Sequence, residues 1–231
     1  MSFSEYIISA IAPLSCLGCG IEGQALCIAC STPEILPFGE RCWRCNRQSL
    51  GARVCSSCRS FRGPTTVWIN SDYHGLVQAA VKKYKFSHAR SLAQPMASLM
   101  AQTLKLYNQA STINRRQYLV VALPTATSRK RRRGFGHSEL LARHIAARLG
   151  LKNLNAIGRL DQSRQVGAAK LVRLNQLQGN YFVKHPESVA NRNILLVDDV
   201  VTTGASLREA ARVLRSAGAQ RVDALVFAKR L

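Results

Sequence analysis

The apolar positions of this chain fall into two alternating kinds of run. Short, continuous, β-favouring runs occur at 65–70, 118–123, 181–183, 194–197 and 221–227, as expected of strands buried on both faces of a sheet. Between them the apolar residues recur at helical spacing. Leu76, Val77, Ala80, Val81 and Tyr84 share one side of a helix over 76–85, and Leu92, Met96, Leu99, Met100 and Leu104 do so over 92–107. Leu140, Leu141, Ile145 and Leu149 belong to a helix that starts at His137 or Ser138 and stops at Gly150; Leu207, Ala210, Ala211 and Leu214 belong to one that stops at Gly218. The alternation predicts an α/β domain with a mostly parallel sheet. Phe3, Tyr6, Ile7, Ala10 and Ile11 predict a further short helix, ended by Pro13, that packs on the next module or touches a membrane face. Residues 159–180 contain no convincing strand, and a loop of that length is a lid or a disordered segment; the lid is the preferred reading.

The run at 194–197 ends in two acids. Asp198 and Asp199 cannot lie unpaired inside a sheet, so they belong at its carboxyl edge, where open α/β folds bind ligands. Val200 and Val201 lead to Thr202, Thr203, Gly204, Ala205 and Ser206, a small, hydroxyl-rich loop that opens the last helix. Such a loop suits a phosphate: glycine admits the ligand close to the backbone, and the first helical amides and the helix dipole favour an anion. A strand ending in paired acids, then Thr-Thr-Gly and a helix, resembles the phosphoribosyl pyrophosphate loop of the type I phosphoribosyltransferases. The resemblance implies that Asp198 and Asp199 hold the ribose hydroxyls, in a complex with Mg²⁺, while Thr202 to Ser206 hold the 5′-phosphate. The alternative is a plain helix cap with the acids as a metal pair, as in receiver domains or haloacid-dehalogenase-like phosphatases. Those sites do not require the loop.

Composition adds a second module. All eight cysteines lie between Cys16 and Cys58, in the pairs Cys16/Cys19, Cys27/Cys30, Cys42/Cys45 and Cys55/Cys58. Seven residues separate the first two pairs and nine the last two. Each Cys-x-x-Cys forms a knuckle that offers two thiolates, and two knuckles complete a Cys₄ site, so eight ligands predict two structural zincs with no open coordination position. Sequential pairing of the knuckles is assumed, interleaved pairing being the alternative; rubredoxin-type iron is the alternative metal and a disulfide scaffold the alternative chemistry. No secretory signal is evident, so the chain is expected in the cytoplasm with reduced thiols. The boundary is expected at Gly63-Pro64, giving a 1–63 zinc-ribbon module and a 64–231 α/β domain.

The 231 residues carry a net charge of +21. Residues 1–63 contribute +2 of it and the rest +19, an excess that suits a polyanion, either nucleic acid or an anionic membrane face. Arg129, Lys130, Arg131, Arg132 and Arg133 follow a strand directly. They read either as a solvated loop or as cations for a pyrophosphate or a DNA backbone at the sheet edge that bears Asp198.

Across nearly its whole length the chain is similar to the ComF/GntX family, a zinc ribbon followed by a phosphoribosyltransferase-like domain. The marks are the cysteine knuckles, Tyr73-His74-Gly75, Lys85-Phe86, Leu123-Pro124, the segment from Arg133 to Ala142, Gln165 with Arg173, and the segment from Val197 to Gly204. Gly136 and His137 stand where family members commonly have Asn-Gln. The resemblance implies a role for Arg173 at the pyrophosphate. It also implies a part in natural competence and DNA utilisation, beside single-stranded DNA and a helicase-like partner at the cytoplasmic face of the inner membrane. Three functions therefore stand open: a phosphoribosyltransferase with an unidentified acceptor, a nucleic-acid-handling binder of a ribose phosphate, and a ligand-sensing regulator.

Overall fold

The computed structural model describes residues 14–86, 89–108, 118–125, 135–159 and 181–230. The N-terminal helix, the basic run at 129–133 and the 160–180 lid with Arg173 lie outside the described residues.

Five parallel strands form the central sheet: β1 (Val67–Asp72), β2 (Tyr118–Ala122), β3 (Lys152–Asn153), β6 (Asn193–Val201) and β7 (Arg221–Lys229), in the order β1-β7-β6-β2-β3. Alternation across the strands builds two cores. Leu195, Val197, Leu225 and Phe227 face α2 (Gly75–Phe86), α3 (Ala93–Asn108) and α4 (His137–Leu149). Ile194, Leu196, Val222, Ala224 and Val226 face α6 (Ala205–Ser216) through Leu207, Ala210, Ala211 and Leu214, and α5 (Pro186–Val189) is a short turn of helix ahead of β6. Both faces are covered, which is why these strands read as continuous apolar runs. Asp223 is fully buried near the start of β7, yet it accepts hydrogen bonds from the Thr66 amide, the Tyr118 hydroxyl and Arg221. It is a satisfied structural acid at the end of the sheet remote from Asp198.

Two expectations are corrected. Tyr181–Val183 (β5) does not join the central sheet; it pairs antiparallel with β4 (Ile157–Arg159), a strand too short to register in the sequence. The strand expected to end at Val197 runs on to Val201. Its β2 partner stops at Ala122, opposite Val197, while β7 stays paired with it as far as Lys229. Asp198 and Asp199 therefore lie where β6 is exposed on one edge only. From β2 the chain moves outward to β3, and from β6 it moves outward the other way to β7. The gap between their carboxyl ends is the topological switch point of the sheet, the place where open α/β folds hold ligands.

The cysteine module shares these cores. Ala25, Leu26 and Ile35, beside α1 (Ile28–Glu34), pack with α2, while Phe38 and Trp43 pack with Val67, Val201 and Leu207. The Tyr107 hydroxyl accepts from the Gly39 amide at 2.8 Å. Among the described residues, no helix is long and apolar enough to cross a membrane.

Candidate functional site

Both acids are engaged by neighbours from the α2/α4 layer. Asp199, 4% exposed, pairs with Lys85 at the end of α2, Nζ to Oδ1 2.7 Å. Asp198 is half-buried, and its Oδ1 accepts from the Ser138 hydroxyl at 2.8 Å and from the Asp199 amide at 2.9 Å. Burial first, and then the charge of Asp199, push the Asp198 carboxyl up to about 7, against the opposing pull of Lys85 and the Ser138 hydrogen bond. Lys85 stood in the sequence only as part of the Lys85-Phe86 mark of the family resemblance, with no contact to the acids assigned to it. Ser138 is the second missed residue. Gly136 caps α4 in extended conformation, placing His137 in the buried ring cluster of Tyr84 and Phe135 and leaving Ser138 to turn toward Asp198. Tyr84 donates to the His137 carbonyl at 2.8 Å, and burial followed by the Asp199 charge raises its pKa.

The loop lies next to these acids. Thr202, Thr203, Ala205 and Ser206 are exposed, while Val201 and Gly204 are buried and Val200 is half-buried. Gly204 has φ +73°, and α6 begins there with the Arg208 amide on its carbonyl at 2.9 Å. A Cβ at Gly204 would overlap the benzo ring of Trp43, which is 2% exposed and lies between Cys42 and Cys45. The phosphate-type loop is thus laid on a tryptophan carried by a cysteine knuckle.

The cysteines form two tetrads in sequential pairing, Cys16/Cys19/Cys27/Cys30 and Cys42/Cys45/Cys55/Cys58, all free thiols, each tetrad's sulfurs within 4.8 Å of one another. Cys19 and Cys27 sulfurs are 3.8 Å apart, Cys45 and Cys55 3.5 Å. A tetrahedral zinc with bonds of about 2.3 Å separates its sulfurs by about 3.8 Å. Backbone N–H groups of Cys19 and Cys27 hold the Cys16 thiol down at about 6, whereas the neighbouring sulfurs of Cys27 and Cys19 push Cys30 up to about 12. Cys42 and Cys58 repeat the division, at about 6 and about 12. Burial raises both, but backbone donors from Cys45, Cys55 and Arg44 bring Cys42 down, and the Cys45 and Cys55 sulfurs add to the rise at Cys58. Four crowded thiols cannot all ionise without a cation, so both tetrads fit a thiophilic divalent metal. Elemental analysis of protein purified without chelator is expected to return two zincs per chain. Fewer than about two, or intact folding of Cys16→Ser and Cys42→Ser variants, would count against two structural sites.

A parallel sheet with covered faces, paired acids at the switch point and a glycine loop behind them define a phosphoribosyltransferase-like domain, here preceded by a double zinc-ribbon module. Residues 131–231 match the family model described as the phosphoribosyl transferase domain. Competence protein ComFC of Bacillus subtilis is 25% identical over 203 residues, 84% of this chain and 80% of that protein. DNA utilization protein YhgH of Salmonella typhimurium is 30% identical over 155 residues, 66% of this chain and 67% of that protein. The chain belongs to the ComF family. Among solved structures, the allosteric regulatory enzyme of purine biosynthesis aligns at 15% identity and a TM-score of 0.44, over 64% of this chain and 30% of that one.

Proposed function

We propose that the protein binds phosphoribosyl pyrophosphate, or a related ribose 5-phosphate ligand, in the crevice between β2 and β6, and that it serves DNA uptake or utilisation by handling single-stranded DNA. The observation that carries the ligand is the pair Asp198 and Asp199 at the switch point, directly ahead of the Thr202 to Ser206 loop. Ribose hydroxyls would donate to the carboxylates, and the 5′-phosphate would accept from the loop hydroxyls and the first amides of α6. The acids offer only oxygen donors, which suits a Mg²⁺ carried in on the pyrophosphate. Arg129 to Arg133 and Arg173 supply cations for that pyrophosphate or for a DNA backbone. The DNA role is supported by the names of the two relatives and by the charge of +21. Family resemblance adds a helicase-like partner at the inner membrane.

Calorimetry with Mg²⁺ and phosphoribosyl pyrophosphate tests the ligand, and pyrophosphate release with and without nucleobases separates a binder from a transferase. Asp199→Asn keeps the size and removes the charge, so its affinity should fall while the fold survives; unchanged affinity would sink the assignment. The Asp198 carboxyl, raised to about 7, is protonated below that pH, and its charge appears as the pH rises. Affinity should therefore climb about tenfold between pH 6 and 8. Asp198→Asn should remove that part of the climb.

A further inference from the structure

A cleft of about 650 Å³ opens between the second cysteine cluster and α6. Arg44, Arg53, Arg59 and Arg62 line it from the module, and Arg212 and Arg215 from the helix, with no acidic residue among its lining. The four module arginines are exposed. Arg215 fixes the walls to each other by donating to the Arg62 carbonyl at 3.0 Å and the Gly63 carbonyl at 2.8 Å. Arg212 is partly neutralised by Glu209 at 2.7 Å, which leaves the module side as the more cationic wall. Exposed arginines gathered along one concavity with no acid in its lining favour an anion there, and Arg is the side chain best shaped to grip phosphate.

We propose that this arginine-lined cleft is a binding track for the phosphodiester backbone of single-stranded DNA. A duplex presents its phosphates on a stiff convex cylinder, whereas a flexible single strand can fold its backbone into a concavity. Trp43 lines the cleft but is 2% exposed, so it offers no ring for stacking, and the track reads charge rather than sequence. The inference rests on the DNA-handling reading above and assigns it a surface.

The test measures affinity of the full-length, zinc-loaded protein for a fluorescent oligothymidylate across a salt series. Arg53, Arg59 and Arg62 are replaced together by Gln, sparing Arg215, which holds the walls. Three lost phosphate contacts should flatten the log–log salt slope by about two and weaken binding about a hundredfold at 0.1 M salt. A charge-matched variant with Arg47, Arg148 and Lys152 replaced by Gln, all exposed and outside the cleft, should bind nearly as the parent. Zinc content and thermal unfolding of both variants should match the parent. If only replacement of Arg131, Arg132 and Arg133 by Ala weakens binding, the cleft is overturned and the DNA-handling reading survives. If the two Gln variants weaken binding equally, the effect is net charge, and the cleft is again overturned. A parent that fails to bind the oligomer overturns both, and equal affinity for a duplex of the same length overturns the single-strand track.

Discussion

Gly204→Ala is expected to abolish measurable phosphoribosyl pyrophosphate binding and to lower the melting temperature by about 10 °C, while both zincs stay bound. Two costs combine. At φ +73° an L-residue is strained by about 1–2 kcal/mol. The new methyl also overlaps the Trp43 ring, and overpacking of this kind costs about 1–3 kcal/mol. The ring cannot yield easily, because Cys42 and Cys45 hold its backbone on either side and Phe38 and Leu207 belong to the same packed cluster. The loop must yield instead, and with it the amides at the start of α6. For a domain of this size each kcal/mol moves the melting temperature by about 2–4 °C. Pairing Gly204→Ala with Trp43→Leu should restore the part due to overlap and leave the part due to φ, a coupling of about 1 kcal/mol or more in a double-mutant cycle. Strict additivity of the two variants would show that the loop does not rest on the tryptophan.

This contact explains why a metal module precedes the α/β domain. Only some forty residues separate the first cysteine from the last, too few for a core of their own. Their fold draws on the metals and on the shared cores, and in return Trp43 supports the loop and the module arginines wall the cleft. Metal loss from the second tetrad would therefore be felt at the loop behind Asp198 and Asp199 as well as in the module.

The parts legible in the sequence are those written as local pattern. Buried strands and amphipathic helices appear as runs and periodicities, the acids and the loop are contiguous, and knuckles close in sequence pair with each other. The parts that were not legible depend on long-range packing. Trp43 and Gly204 are far apart in sequence, and Lys85 and Ser138 each reach the acids from a different helix. A three-residue strand such as Ile157–Arg159 contains too few positions to display an alternation. Charge summed by segment placed nearly all of the excess in the second domain, yet four of the six arginines in residues 1–63 line one cleft with Arg212 and Arg215. A net balance over a segment conceals a cleft that no acidic residue lines.

Lys85→Met is the second large effect expected, and its dependence on pH identifies its cause. The Lys85 ammonium, with 24% of its side chain exposed, is the cation that faces the two acids, and Met keeps most of the stem while removing the charge. Breaking a buried pair from one side leaves an uncompensated carboxylate and costs about 3 kcal/mol. Lys85 also holds the Asp198 carboxyl down, so without it that group, already at about 7, moves higher. A carboxyl whose pKa is raised in the folded state binds its proton more tightly there than in the unfolded chain. Stability from this group is therefore lost as the pH rises from its unfolded value toward its folded one. In the parent that loss is complete a little above pH 7; in Lys85→Met it continues further. Urea unfolding of the variant should thus show a larger deficit relative to the parent at pH 8.5 than at pH 5.5, where Asp198 is protonated in both. Adding Asp199→Asn to Lys85→Met should recover part of the deficit at both pH values, since the carboxylate that Lys85 pairs directly is then gone. Equal deficits at the two pH values would show that the Asp198 carboxyl does not depend on Lys85 for its charge, and a deficit that Asp199→Asn leaves untouched would show that Lys85 contributes packing alone.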